Sequence, residues 1–195
     1  MAVLVGLDVG QMADFTALAV LEYVHEVTRV YTVGHLQRFD LRTPYPVIVE
    51  RVAGMLQRPE VGSDVTLLID VTGVGRGVLD MFHVAHVVPI AVSIHGGSAV
   101  THQGREWHVP KKDLVYSLTA LSQARPVRLA LGERVPFARE VRQEMQSFTA
   151  KINHETAHES FAAWREQLHD DLILAMSLCT WWGERRGERA GAWGR

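Results

Sequence analysis

The chain has 195 residues, of which 47% are hydrophobic, with one cysteine and a formal net charge of −2. That length predicts one ordinary domain with a substantial core. Cys179 alone excludes an intrachain disulfide and fits a reducing, cytoplasmic setting. No apolar run nears the roughly 18 residues of a membrane span, so no membrane partner is expected, and Met1-Ala2-Val3-Leu4 lacks the basic start of a signal peptide.

In chain order, Val3 to Asp8, Thr16 to Val24 and Arg29 to Gln37 read as three β-rich runs. The short His25-Glu26 connection argues for a hairpin, and three such runs predict an antiparallel meander. Pro44 to Gln57 has helical spacing, with Pro46 tolerated in a first turn. A strand at Val65–Asp70, a glycine-rich turn, a helix near Val78–His83 and a strand at Val87–Val92 make a βαβ order, which favours parallel pairing. Lys111 to Ala124 and Pro136 to Phe148 read as helices, with a short strand at Val127 to Leu131 between them. Residues 147–163 are polar and poorly periodic, as in a hairpin or loop. The last helix is expected from about Leu168 to Glu184, and the basic, glycine-rich end from Arg185 is expected to fray. The expected organisation is a single α/β domain over residues 1–184 and a flexible basic tail over 185–195.

Three acidic stations stand at the edges of apolar stretches: Asp8 after Val3–Leu7, Asp70 after Val65–Ile69, and Asp170-Asp171 before the final helix. A carboxylate at the rim of a core is costly, because burial disfavours its charged form. Convergence on a divalent cation would offset that cost. At about 100° per residue, Asp171 falls in the middle of the arc formed by Leu168, Leu174, Ala175, Leu178, Cys179 and Trp182, whereas Asp170 lies on a more polar side. An N-terminal helix acid that caps or opposes the macrodipole accounts for Asp170 better than for Asp171. Asp8 and Asp70 taken singly are ordinary turn residues. Together with Asp171 they form a hard-oxygen set suited to Mg²⁺ or Mn²⁺, and two such ions would serve phosphodiester hydrolysis. Asp14 is either a further carboxylate of this set or an Asx turn before Phe15. His169 either tunes a nearby proton transfer or caps the helix.

Other motifs exclude more than they assign. Gly73-Val74-Gly75-Arg76-Gly77 fails the dinucleotide fingerprint, since Val78 stands where the third glycine belongs. It reads instead as a turn that lets substrate pass close to the site, with Arg76 a candidate DNA contact. No P-loop occurs. His154 and His158 lack a third zinc ligand, and no nucleophile motif accompanies Cys179. Basic residues cluster at Arg105, Lys111-Lys112 and Arg125 to Arg142, a distribution open both to polyanion docking and to a solvated face.

Gly6-Leu7-Asp8-Val9-Gly10 with Asp14-Phe15-Thr16-Ala17, Leu68-Ile69-Asp70-Val71-Thr72-Gly73-Val74-Gly75, Pro110-Lys111-Lys112-Asp113-Leu114-Val115, and His169-Asp170-Asp171-Leu172-Ile173-Leu174-Ala175-Met176 occur in that order. The ordered set resembles the C-terminal nuclease domain of the large terminase subunit of tailed bacteriophages, from about Val3 to Trp182. The resemblance implies an RNase H-like mixed sheet flanked by helices and a two-metal endonuclease that cuts concatemeric viral DNA during packaging. It implies metal-binding roles for Asp8, Asp70 and Asp171, with Asp14, His169 and Asp170 as near neighbours, and phosphate contacts for Lys111 and Lys112. Double-stranded DNA is the implied partner, and a packaging ATPase domain, small terminase or portal protein would be further ones. A Holliday-junction resolvase-like nuclease shares the acidic geometry and differs in substrate. An actin/hexokinase-like nucleotide-binding protein normally needs two such halves, and this chain has room for one.

Overall fold

The computed structural model describes residues 1–11, 14–24, 29–145 and 170–192. Among these, eight strands form one sheet: β1 (Ala2–Asp8), β2 (Ala17–Tyr23), β3 (Tyr31–Arg38), β4 (Val65–Asp70), β5 (Ile90–His95), β6 (Thr101–Gln103), β7 (Glu106–Pro110) and β8 (Leu129–Leu131). Helices α1 (Tyr45–Leu56), α2 (Gly75–Val84), α3 (Lys111–Gln123), α4 (helical over 138–145) and α5 (Asp171–Ala192) cover it. The sheet order is β6-β7-β5-β4-β1-β2-β3-β8. As expected, β1, β2 and β3 are an antiparallel meander, and β4 then runs parallel to β1 and β5 parallel to β4. The result is the RNase H-like mixed sheet anticipated from the motifs.

The central strand β1 is apolar throughout because both of its faces are covered. Val3, Val5 and Leu7 point into the core shared with α1 and α2, while Ala2 and Leu4 point toward α5. By the same alternation Asp8 belongs to the α5 face. Leu68, and with it Asp70, share that face on β4. Both acids are therefore delivered to one face, at one end of adjacent parallel strands.

Gly6 lets α5 reach that face. A Cβ on Gly6 would overlap the Ala175 carbonyl, so helix backbone rests directly on strand backbone. Ala17 and Ala19 on β2 keep the neighbouring floor low. On its other side α5 packs against α3, where Ser117 Oγ lies 3.0 Å from Thr180 Oγ1. Residues 171–180 are consequently buried all round, Ser177 and Thr180 included. The one-sided helix assumed from the sequence is thus corrected: α5 is a central helix between sheet and α3.

Several boundaries shift for local reasons. The strand expected at Val87–Val92 begins at Ile90, because residues after α2 form its exit turn: Val87 N–H bonds to the Phe82 carbonyl and His86 takes a φ of 58°. The β6–β7 hairpin was missed. Its strands are short, but Trp107 and Val109 alternate inward and Gly104 turns at a φ of 58°. The last helix continues to Ala192, past the expected end near Glu184. Arg185 lies 4.7 Å over the Trp107 ring, and Arg186 pairs with Asp64 at 3.4 Å. The loop or hairpin expected over 147–163, with His154 and His158, lies outside the described residues.

If the Gly6 contact seats α5, Gly6→Ala should destabilise the fold by about 1–3 kcal/mol, with a larger loss for Gly6→Val. Denaturant unfolding checks this, and wild-type stability in both variants would refute the contact's role.

Candidate functional site

Strand register sets the floor of the site. Asp8 pairs with Ala17, and Ala17 with Arg38 on β3. On the other side Leu7 pairs with Ile69, so Asp70 is the next residue along, and it pairs with Val92 on β5. Arg38, Ala17, Asp8 and Asp70 thus form one row across four strands. The N-terminus of α5 comes down over this row, with Asp170 immediately before it and Asp171 as its first residue. The Asp170 carbonyl accepts the Leu174 N–H at 2.8 Å, opening the helix.

Asp8, Asp14, Asp70, Asp170 and Asp171 line one open cavity of about 500 Å³, together with Lys111, Thr72 and Gly73. Asp70 and Asp171 are buried, Asp8 and Asp170 are half-buried, and Asp14 is exposed at the rim. The structure therefore brings together the five aspartates singled out from sequence. His169 lies outside the described residues. Lys111 lines the cavity, while Lys112 on the next helical position does not. Arg76 is on the exposed start of α2 and pairs with Glu106 at 2.8 Å, away from the acids. An exposed pair of that kind is worth little.

Each acid has a defined environment. Asp70 Oδ1 accepts the Thr72 N–H at 2.8 Å, and Thr72 Oγ1 accepts the Ile94 N–H at 2.8 Å, which ties β4's end to β5. Gly75 permits this turn, since a Cβ there would overlap the Asp70 carbonyl. Asp170 accepts from Lys111 Nζ at 2.7 Å. Asp171 is held by Arg38, whose Nε donates to Oδ2 at 2.7 Å and Nη2 to Oδ1 at 2.8 Å. Arg38 Nη2 also donates to Glu144 Oε1 at 2.9 Å, and its guanidinium lies between Phe15 and Phe137 at 5.5 and 5.7 Å from the ring centres.

Arg38 and Glu144 were not found by sequence reasoning. The alternation of Tyr31 and Val33 would place Arg38 on the opposite face. A bulge intervenes: Val20 pairs with His35 and Leu21 with Val33, so Gly34 is an extra residue on β3. Beyond it Leu36 enters the α5-side core and Arg38 follows. A bulge of this kind re-aims the side chains beyond it. Gly34 was the available signal.

The electrostatics are those of crowded like charges. Asp8 is raised well above the ordinary carboxylate range, first by burial and then by Asp70, Asp170 and Asp171, with Lys111 opposing. Glu144 is pushed up to about 7, chiefly by burial and further by Asp171 and Asp170, against the lowering effect of Arg38. The donors are hard oxygens crowded into one negative field, a set whose chemistry fits Mg²⁺ or Mn²⁺. As the side chains lie, no three His, Cys, Asp or Glu residues among those described are gathered tightly enough to hold an ion between them. Asp171 and Asp170 are turned instead toward Arg38 and Lys111.

Comparison with solved structures places the chain in a fold shared with viral nuclease domains. The large terminase nuclease of thermophilic phage G20c superposes with a TM-score of 0.54 at 14% identity, covering 91% of this chain and 80% of that one. The large terminase nuclease domain of bacteriophage SPP1, solved with bound Mn, gives 0.55 at 12% identity, covering 95% and 87%. The human cytomegalovirus terminase nuclease domain gives 0.51 at 14%, covering 92% and 82%. No protein-family model and no curated protein sequence matches the chain.

Asp8 and Glu144 both titrate above their unfolded values, so the folded protein binds more protons than the unfolded chain across that interval. Their contribution to stability is then highest below the unfolded pKa and is lost as pH rises through the folded one. Without divalent metal, melting temperature should therefore fall between about pH 5 and pH 7.5. Glu144→Gln should flatten that slope. A slope that rises, or one untouched by the substitution, would contradict the assignment.

Proposed function

We propose that the chain is a divalent-metal-dependent DNA endonuclease, with Asp8, Asp70 and Asp171 as the ion-binding acids and Asp170 and Asp14 beside them. The observation that carries this reading is the carboxylate cavity itself. Acids from β1, β4 and the start of α5 meet at one end of an RNase H-like sheet, where burial first and then the neighbouring carboxylates raise Asp8 above the ordinary carboxylate range. Mg²⁺ or Mn²⁺, two ions by this reading, would supply water activation and neutralisation of the leaving oxygen of a phosphodiester.

The protein's own groups have separable parts in this scheme. Asp8 and Asp70 sit at strand ends, so their positions are fixed by the sheet rather than by a loop. The Thr72 N–H occupies Oδ1 of Asp70 and orients the carboxylate. Lys111, at the start of α3 and on the cavity wall, balances Asp170 and stands where a DNA phosphate would approach. The cavity is open, as a duplex backbone requires. His169 is the proposed proton-transfer neighbour, and Lys112 and Arg76 are proposed as peripheral DNA contacts.

The SPP1 relative in fold was solved with bound Mn, which supports the choice of Mn²⁺ as test ion. By the terminase resemblance the substrate is concatemeric viral DNA in the host cytoplasm, and the partners are a packaging ATPase, small terminase or portal protein. Residues 1–184 form the proposed nuclease unit, followed by the basic segment 185–195.

Purified protein should nick and linearise plasmid DNA with Mn²⁺. Asp8→Asn, Asp70→Asn and Asp171→Asn should each cut at below about one hundredth of the wild-type rate, while Asp170→Asn retains more. Cleavage retained in all three would sink the site assignment. A strong preference for four-way junctions over linear duplex would move the reading to a resolvase.

A further inference from the structure

The position of Arg38 bears on how the acidic site handles a cation, and the inference rests on the metal reading above. We propose that Arg38 is a built-in counter-ion for Asp171 that a divalent ion displaces, with Glu144 as the carboxylate that keeps the guanidinium when Asp171 turns to the ion.

Four observations carry this. Both oxygens of Asp171 are engaged by Arg38, at 2.7 and 2.8 Å, so a cation arriving at Asp171 competes with the guanidinium for the same carboxylate charge. The guanidinium is already shared: Nη2 reaches Glu144 Oε1 at 2.9 Å. Glu144 Oε2 is buried and has no hydrogen-bond partner among the described residues, which leaves an acceptor ready for a second N–H. Phe15 and Phe137 flank the guanidinium, so it can slide between the two carboxylates without leaving its slot.

The chemistry requires an arginine. Its planar fork grips Asp171 through two nitrogens and still offers an N–H to Glu144, and it never loses its charge. Lysine has one nitrogen and no fork. The bulge at Gly34 is what turns this side chain into the site, so the counter-ion is delivered by backbone irregularity in β3. In the metal-free protein Arg38 neutralises a carboxylate that would otherwise face Asp8 and Asp170. With the ion bound, the neutralising charge at Asp171 is the ion's, and Arg38 is left to Glu144.

The test is a Mn²⁺ titration of the full chain by calorimetry without DNA, paired with melting curves with and without Mn²⁺. Arg38→Gln should melt lower without metal yet bind Mn²⁺ about five- to tenfold tighter, since the competitor for Asp171 is gone. Glu144→Gln removes the alternative carboxylate charge and one of its two acceptor oxygens, and should weaken Mn²⁺ by a similar factor. Arg38→Lys keeps the charge and loses the fork, so it too should bind Mn²⁺ more tightly than wild type, which also covers the case in which Arg38→Gln does not fold. Wild-type affinity in Arg38→Lys would overturn the proposal in favour of a remote charge effect. Weaker binding in Arg38→Gln would overturn it in favour of Arg38 as a scaffold for Asp171. In both cases Mn²⁺ binding that Asp8→Asn abolishes would leave the metal reading standing. Absence of such binding in the wild type would remove both.

Discussion

The site depends on one close approach, the contact of α5 backbone with β1 backbone at Gly6. Any side chain at that position would lift the helix off the sheet. Lifting the helix would withdraw Asp171 and Asp170 from the strand-end acids they face. The same approach buries ten residues of α5 from every side, which is why Ser177 and Thr180 are as buried as Leu178. Secondary structure, core and acidic cavity are thus coupled through a single missing Cβ. Lower down the helix, Gly183 plays a similar part toward Tyr31, whose hydroxyl donates to Glu184 at 2.9 Å.

Electrostatics then decides how the cavity rests. Among the described residues, six carboxylates, counting Glu144, stand near two basic side chains, Arg38 and Lys111. The direct ion pairs of these cations are made with the α5 pair. Asp171 takes the guanidinium and Asp170 the ammonium, while at Asp8 burial and the neighbouring carboxylates outweigh the opposing charge of Lys111 and raise it. A buried ion pair such as Arg38–Asp171 contributes little net stability, but losing one partner leaves an uncompensated charge costing about 3–5 kcal/mol. The site is therefore poised: stable when its charges are matched, and open to another cation where they are not.

Much of the fold was legible because its signals are local. The strands β1 to β4 and helices α1 and α3 follow from apolar runs, turn residues and proline placement, and the βαβ order led to the parallel half of the sheet. The β6–β7 hairpin escaped because its strands are three and five residues long, too short for a period to emerge. Asp8 and Asp70 were legible because both end strongly apolar strands. Asp171 was singled out on an argument that only partly applied. The contrast with Asp170 survives, but its cause is position: Asp171 faces β3 and Arg38, whereas Asp170 precedes the helix and faces Lys111.

Which acids stand at the ends of which elements, and through strand alternation which face Asp8 and Asp70 occupy, can be read from the chain alone. That information is local, carried by period-two patterning and the chain's own turns. What neutralises those acids emerges from long-range packing. Arg38 reaches Asp171 across 133 residues of chain, and does so because Gly34 inserts one residue into β3 and reverses its facing. A bulge is a property of the pairing between two strands, absent from either strand read alone. The partner of the last acid was thus invisible until the sheet was assembled.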